Sequence, residues 1–181
     1  MPSLAELLHD WHDFYILVGT AAATLVGLMF VATSIGASIF TEEKSAAVAA
    51  FLTPTVVHFA SVLFASLLVT IPTESWRSLG VLIGAGGLAG TFYCGRVLVD
   101  IVVRGRFKVD MTDRLYYALV PVLGYLLALA AAVLLIMQSP ASANVIAASI
   151  LTLLAAGIRN AWDMLVWFVI KSPSGGPPPA A

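Results

Sequence analysis

Residues 14–40 read FYILVGTAAATLVGLMFVATSIGASIF, a stretch without one charged side chain. An α-helix rises about 1.5 Å per residue, so about 20 mainly apolar residues cross the roughly 30 Å hydrocarbon core of a bilayer. This stretch is long enough to do so. Four more follow, at about 46–71, 76–103, 115–137 and 143–170.

Composition points the same way. Hydrophobic residues make up 60% of the chain and charged residues 10%, against about 45–50% and 25% in soluble domains. A soluble fold of 181 residues buries only about 70% of the surface its chain exposes, too little to hide this much apolar area. The expected fold is all-α, a polytopic membrane helix bundle with five transmembrane helices, residues 1–171 forming a single domain. The tail SPSGGPPPAA, residues 172–181, has nothing to bury and is expected to be a disordered cytoplasmic extension.

Lysine and arginine in short loops set the orientation. The segment RGRFKVDMTDR carries Arg104, Arg106, Lys108 and Arg114. Placing it in the cytoplasm puts Lys44 and Lys171 there too and leaves Arg77 outside. The expected topology is N-terminus out and C-terminus in, in a cell membrane of the bacterial inner-membrane type. A net charge of −1 excludes the basic stripe that a nucleic-acid partner needs. The single cysteine, Cys94, offers no intrachain disulfide.

Small residues mark where helices can approach within lipid. Gly19, Ala23 and Gly27 recur at four-residue spacing on the first span, as do Gly124, Ala128 and Ala132 on the fourth. Gly80, Gly84 and Gly87 line one face of the third. The GAGGLAG of that span lies inside an apolar helix with no strand before it, which rules out a dinucleotide fingerprint. At 100° per residue, the Arg96/Asp100 face of the third span lies about 120–180° from its glycine face. A helix with two faces withdrawn from lipid is expected either to be central in the bundle or to be shared with a second copy. A homo-oligomer is expected.

A charge at the bilayer centre costs roughly 2.5–3.5 kcal/mol on insertion scales, so ionisable residues there are functional candidates. CGRVLVD supplies Arg96 and Asp100; GIRNAWD supplies Arg159, Asn160 and Asp163. Within each sequence the Arg and Asp stand four apart, on one helical face. Counted from Lys171, Arg159 lies about 18 Å in, near the midplane, and Asp163 is level with Arg96. A cross-helix network is expected, Arg96 to Asp163, flanked by Arg159 and Asp100. His58, four residues after Pro54 in LTPTVVHF, lies about 20 Å deep. It is read as hydrogen-bonded to a neighbouring Ser or Thr, with a proton relay or metal ligation as alternatives.

At the head of the chain, HDWHDF crowds two of the three histidines against the first span. Continuing the first helix outward puts Glu6, His9 and Asp13 on one face, with Asp10 and His12 beside it. Glu6-x-x-His9 has the spacing of di-metal carboxylate bundles, but the chain offers no second copy. Interfacial anchoring and acidity suited to a helix N-terminus account for the cluster. A divalent-metal site of Glu6, His9, His12 and Asp13 is the alternative, and the only cofactor the sequence suggests.

No G-x-S-x-G elbow or H-E-x-x-H pair is present, and no enzymatic activity is expected. The expected function is a small oligomeric transporter or channel for ions or protons, working through Arg96, Asp100, Arg159, Asp163, Asn160 and His58. Its partners would be membrane lipids, further copies of itself and a small ion substrate. The alternative is a structural or accessory membrane subunit whose buried Arg/Asp network only fixes helix packing.

Overall fold

The computed structural model describes residues 3–37, 42–72, 75–102 and 111–171. They form six α-helices: α1 (Leu4–Asp10), α2 (His12–Ala37), α3 (Glu42–Thr70), α4 (Trp76–Val102), α5 (Met111–Ile136) and α6 (Ala141–Lys171), with no strand among the described residues. Helices α2 to α6 are each long and apolar enough to cross a membrane, and they correspond one for one to the five apolar runs. The Arg104–Lys108 loop and the tail 172–181 lie outside the described residues, as do the side chains of Lys44, Arg114 and Lys171.

One departure comes at the start. The first helix is not continuous, because the chain turns at Trp11, which closes α1. Ser3 caps α1: its hydroxyl accepts from the Glu6 N–H, and the Glu6 carboxylate accepts from the Ser3 N–H at 2.8 Å. This reciprocal box satisfies donors that a helix start leaves open. Trp11 then stacks on the next helix, its ring centroid 5.5 Å from Phe14 and 6.2 Å from Tyr15. Aromatic packing at the turn sets α1 apart from α2.

The helices pack in the order α4 on α5, α5 on α6, α6 on α3 and α3 on α2, while α3 and α4 meet only narrowly. Glycines build most of these seams. On α4, Gly80 faces Ile136 and the Ala132 carbonyl, Gly84 faces Ala132, and Gly87 faces Leu129, all on α5. A Cβ on Gly90 would run into the ring of Tyr125; one on Gly124 would run into Leu153 of α6, and one on Gly157 into Phe59 of α3. Gly19 abuts Ser66 across the α2–α3 seam, whereas nothing lies within 4 Å of a Cβ on Gly27. The small-residue stripe of the third span is thus the α4–α5 interface.

The rest of α4 does not become a second buried face. Val81, Leu82, Leu88, Phe92 and Val99 are all exposed, so α4 stands at the edge of this bundle and not at its centre. The same pattern holds outside: Leu17, Phe30, Phe64 and Trp162 point away from the core. Exposed hydroxyls are turned back onto their own helices. Thr24 donates to the Thr20 carbonyl at 2.9 Å, Ser34 to Phe30 at 2.9 Å and Thr152 to Ala148 at 2.7 Å. Such back-bonding keeps polar hydrogens satisfied where the surroundings offer no water. An apolar exterior over an interior holding Thr55, His58, Ser66, Ser142, Ser149 and Asn160 inverts the soluble arrangement.

The turn between α5 and α6 fixes one end of the bundle. Gln138 takes a left-handed backbone (φ 56), and the Gln138 and Ser139 N–H groups bond back to Leu135 and Leu134 at 2.9 Å each. This is a Schellman closure with glutamine in the usual glycine position. The turn lies beside the start of α2, where the Tyr15 hydroxyl donates to the Ala143 carbonyl at 3.2 Å. We call this the head end.

Two glycines four residues apart on α4 should respond in opposite senses. Gly90→Ala is expected to destabilise the protein by about 1–3 kcal/mol, because the methyl group has no room beside Tyr125. Gly86, whose Cβ would meet nothing within 4 Å, is expected to tolerate alanine or to gain up to about 1 kcal/mol from helix propensity. Thermal unfolding of both variants in one detergent compares them directly.

Candidate functional site

His58 and Ser61 stand one turn apart on α3, on one helical face. Pro54 lies inside α3 without ending it, and Pro121 does the same in α5. One turn beyond Pro121 comes Tyr125, 2% exposed, whose ring fills the space that Gly90 leaves open. Helices α3 and α5 thereby bring three polar side chains together. His58 Nδ1 lies 3.1 Å from the Tyr125 hydroxyl, which lies 2.9 Å from Ser61 Oγ, which lies 2.8 Å from the Val57 carbonyl.

The protons in this chain can be assigned by elimination. A carbonyl only accepts, so Ser61 donates to Val57. Its single proton is then spent, and Tyr125 must donate to Ser61. Tyr125 has spent its proton too, so the remaining contact is supplied by an Nδ1–H of His58. The imidazole is held as the Nδ1–H tautomer, with a lone pair at Nε2. Every hydrogen in the sequence His58 to Tyr125 to Ser61 to Val57 runs in one direction.

Depth matters as much as partners. Counted from the head-end helix termini, His58, Tyr125 and Ser61 lie about 18, 16 and 14 Å in. That is the middle of a roughly 30 Å hydrocarbon core. His58 is 1% exposed and has no charged partner among the described residues.

The chain borders a cleft of about 430 Å³ between α3 and α4, closed behind by α5 and α6. Ser61, Tyr93, Tyr125 and Ser149 contribute its hydroxyls, and Phe64, Leu68, Leu82 and Ile150 are among its apolar walls. Ser149 donates to the Gly124 carbonyl at 2.7 Å. The narrow meeting of α3 and α4 leaves the cleft open sideways, where Phe64, Leu82, Gly86 and Ala89 are exposed.

The expected charged network takes a different form. Arg159 Nε donates to both carboxylate oxygens of Asp163, at 3.2 and 3.0 Å, within α6. Arg96 lies with its guanidinium 4.9 Å from the centre of the Phe92 ring, one turn back on α4. Arg96 and Asp163 do not meet, because α4 and α6 each pack on α5 and share no substantial seam with each other. The side chain of Asp100 lies outside the described residues. The midplane position of Arg159 is also revised. Counted from the head-end turn, Arg159 lies about 27 Å in and Arg96 about 30 Å in, near the far boundary. The 31 residues of α6 make a helix of about 46 Å, which overruns the core, so counting from Lys171 overstates depth. Arg159 and Asp163 are 42% and 29% exposed. Asn160, by contrast, is buried at 1%, and its amide nitrogen and oxygen have no hydrogen-bond partner among the described residues.

At the head end, His9 and His12 line a surface cleft of about 600 Å³ with Leu4, Leu8, Val69 and Trp76. Glu6 is committed to the Ser3 cap, and His12 Nδ1 lies 3.4 Å from Asp13 on α2. The turn at Trp11 separates Glu6 and His9 from His12 and Asp13. Among the described residues, no three His, Cys, Asp or Glu side chains gather as a metal would require.

Tyr125, Ser61 and Ser149 are the members that sequence reasoning missed. Ser61 was within reach, since it follows His58 at helical spacing. Tyr125 is recognisable only once α5 is known to face α3.

Compared with protein-family models, curated proteins and solved structures, the chain matches none. Fold and site define the class without them. The chain is an all-helical apolar bundle of the multi-pass integral membrane type.

The α1 cap supplies a pH test. Hydrogen bonds from the Ser3 backbone and hydroxyl hold the Glu6 carboxyl below its ordinary 4.5. A depressed carboxylate stabilises the fold above the unfolded value and loses that contribution as pH falls through the folded one. Protection of the Leu4–Leu8 amides, taken relative to intrinsic exchange at each pH, is expected to fall once pH drops well below 4.5, and Glu6→Gln should abolish that fall.

Proposed function

We propose that the protein is a small transport protein of the bacterial inner-membrane type, which moves protons or a small solute by way of the α3–α4 cleft. The observation supporting this is an ionisable side chain at mid-depth, tied into a hydroxyl chain that borders a sideways opening. An ionisable residue at that depth is costly and marks a functional site by default. His58 is the proton carrier, since imidazole is the side chain whose ordinary titration falls near neutral pH. Nε2 accepts the incoming proton, and the Nδ1 proton passes to Tyr125 as Tyr125 passes its own to Ser61. As Ser61 takes the Tyr125 hydrogen, its own hydroxyl hydrogen leaves Val57 for the oxygen of a water or solute in the cleft, so each hydroxyl again carries one proton and His58 is left neutral with its hydrogen on Nε2.

In this reading the five long helices all span the membrane, with the N-terminus outside and the C-terminus in the cytoplasm. The protein works as a homo-oligomer. The Arg159–Asp163 pair, half-exposed beside Trp162 on α6, suits a second copy better than it suits lipid. Arg96, Asp100 and Asn160 serve the far boundary and not the proton path. The same exposed pair also favours a second reading, an accessory subunit that docks on another membrane protein through α6.

Proton flux into proteoliposomes loaded with a pH-sensitive dye separates the two. The wild type is expected to exceed empty liposomes under an imposed gradient. His58→Ala and Tyr125→Phe should each lower the excess at least tenfold, while Arg159→Ala retains it. A wild-type flux equal to that of empty liposomes would leave the accessory reading.

A further inference from the structure

We infer that the α3–α4 cleft binds a neutral apolar molecule carrying a hydroxyl group, an alcohol or phenol that enters sideways from the bilayer. This rests on the cleft being the working site, and it names what the site selects. A volume of about 430 Å³ lies in the range of small-molecule sites, which are mostly apolar with a few placed polar groups. The entrance is apolar: Phe64 and Leu82 flank it, and Gly86 and Ala89 leave it unobstructed. A ligand arriving there comes dissolved in lipid.

The proton assignment determines the ligand's chemistry. Ser61 has given its hydrogen to Val57, Tyr125 to Ser61 and Ser149 to Gly124. All three residues line the cleft, and at rest their oxygens keep lone pairs and have no hydrogen to offer. They form a wall that only accepts, so a ligand must donate to it. Tyr93, on the α4 side of the cleft, brings a hydroxyl that can donate in return. A hydroxyl group alone is matched on both sides, giving a proton to the α3–α5 wall and taking one from Tyr93. A ketone or ether accepts from Tyr93 but faces the wall with lone pair against lone pair. Among the described residues no charged side chain lines the cleft, so a carboxylate or ammonium would be buried without a counter-charge, at heavy cost.

The test uses two probes of which the second has the donor hydrogen replaced by a methyl group, 2-naphthol and 2-methoxynaphthalene, added to the full-length protein in lipid nanodiscs with empty nanodiscs subtracted. Naphthol fluorescence is expected to show saturable binding, and the methyl ether to bind about tenfold more weakly, the loss due to one unmatched buried polar contact. Gly86→Leu fills the opening without a backbone clash, since a Cβ there meets nothing within 4 Å. It should weaken naphthol at least tenfold while leaving the protein's size-exclusion profile unchanged. Tyr93→Phe should keep the preference for naphthol over the ether, because the preference arises on the opposite wall. Equal binding of the two probes, no saturable binding, or full binding by Gly86→Leu would each overturn the inference. Selective naphthol binding by a protein that passes no protons would remove the transport reading and keep the site; proton flux without naphthol binding would do the reverse.

Discussion

A histidine in the middle of a membrane-spanning bundle must find a hydrogen-bond partner within the protein, because hydrocarbon supplies none. Here that constraint organises three helices. His58 on α3 needs the Tyr125 hydroxyl on α5; the Tyr125 ring in turn needs the bare backbone at Gly90 on α4. Beside this trio α3 and α4 are in only narrow contact, and the cleft lies between them. One buried polar group thus ties three helices together and lies at the wall of a sideways opening.

Several other polar groups obey the same rule by cheaper means. Thr24, Ser34 and Thr152 turn onto carbonyls of their own helices. Arg159 and Asp163 satisfy each other one turn apart, and Arg96 lies over Phe92. Each of these contacts lies within a single helix. Depth explains the difference. Near the far boundary, long charged side chains can reach headgroups, whereas an imidazole at about 18 Å from the head end cannot.

Much of the fold was legible in the sequence. Apolar length alone located all five long helices, and the Gly80–Gly84–Gly87 spacing correctly marked a close seam. The break at Trp11 was not legible, since HDWHDF contains no proline or glycine and the turn is stabilised by rings that meet only after folding. The site was legible in part. His58 and Asn160 stood out as polar residues in apolar runs, and both are buried. The Arg96–Asp163 network was inferred by counting along two helices as though they were neighbours. Periodicity gives the face of a helix but not which helix it meets. For that reason Tyr125, set among leucines and alanines, carries no signal of its own, and of the two places open to α4, central in the bundle or shared with a second copy, the exposed Leu88, Phe92 and Val99 exclude only the first.

The central claim is the one-way hydrogen-bond chain, and the protonation of the His58 ring tests it most directly. Solid-state NMR of the ¹⁵N-histidine-labelled protein in bilayers near neutral pH distinguishes a protonated ring nitrogen from a bare one. Tyr125→Phe identifies His58 among the three histidines. The account predicts a neutral ring with the proton on Nδ1 and a lone pair on Nε2. A neutral ring protonated on Nε2, or a ring signal indifferent to Tyr125→Phe, would contradict it.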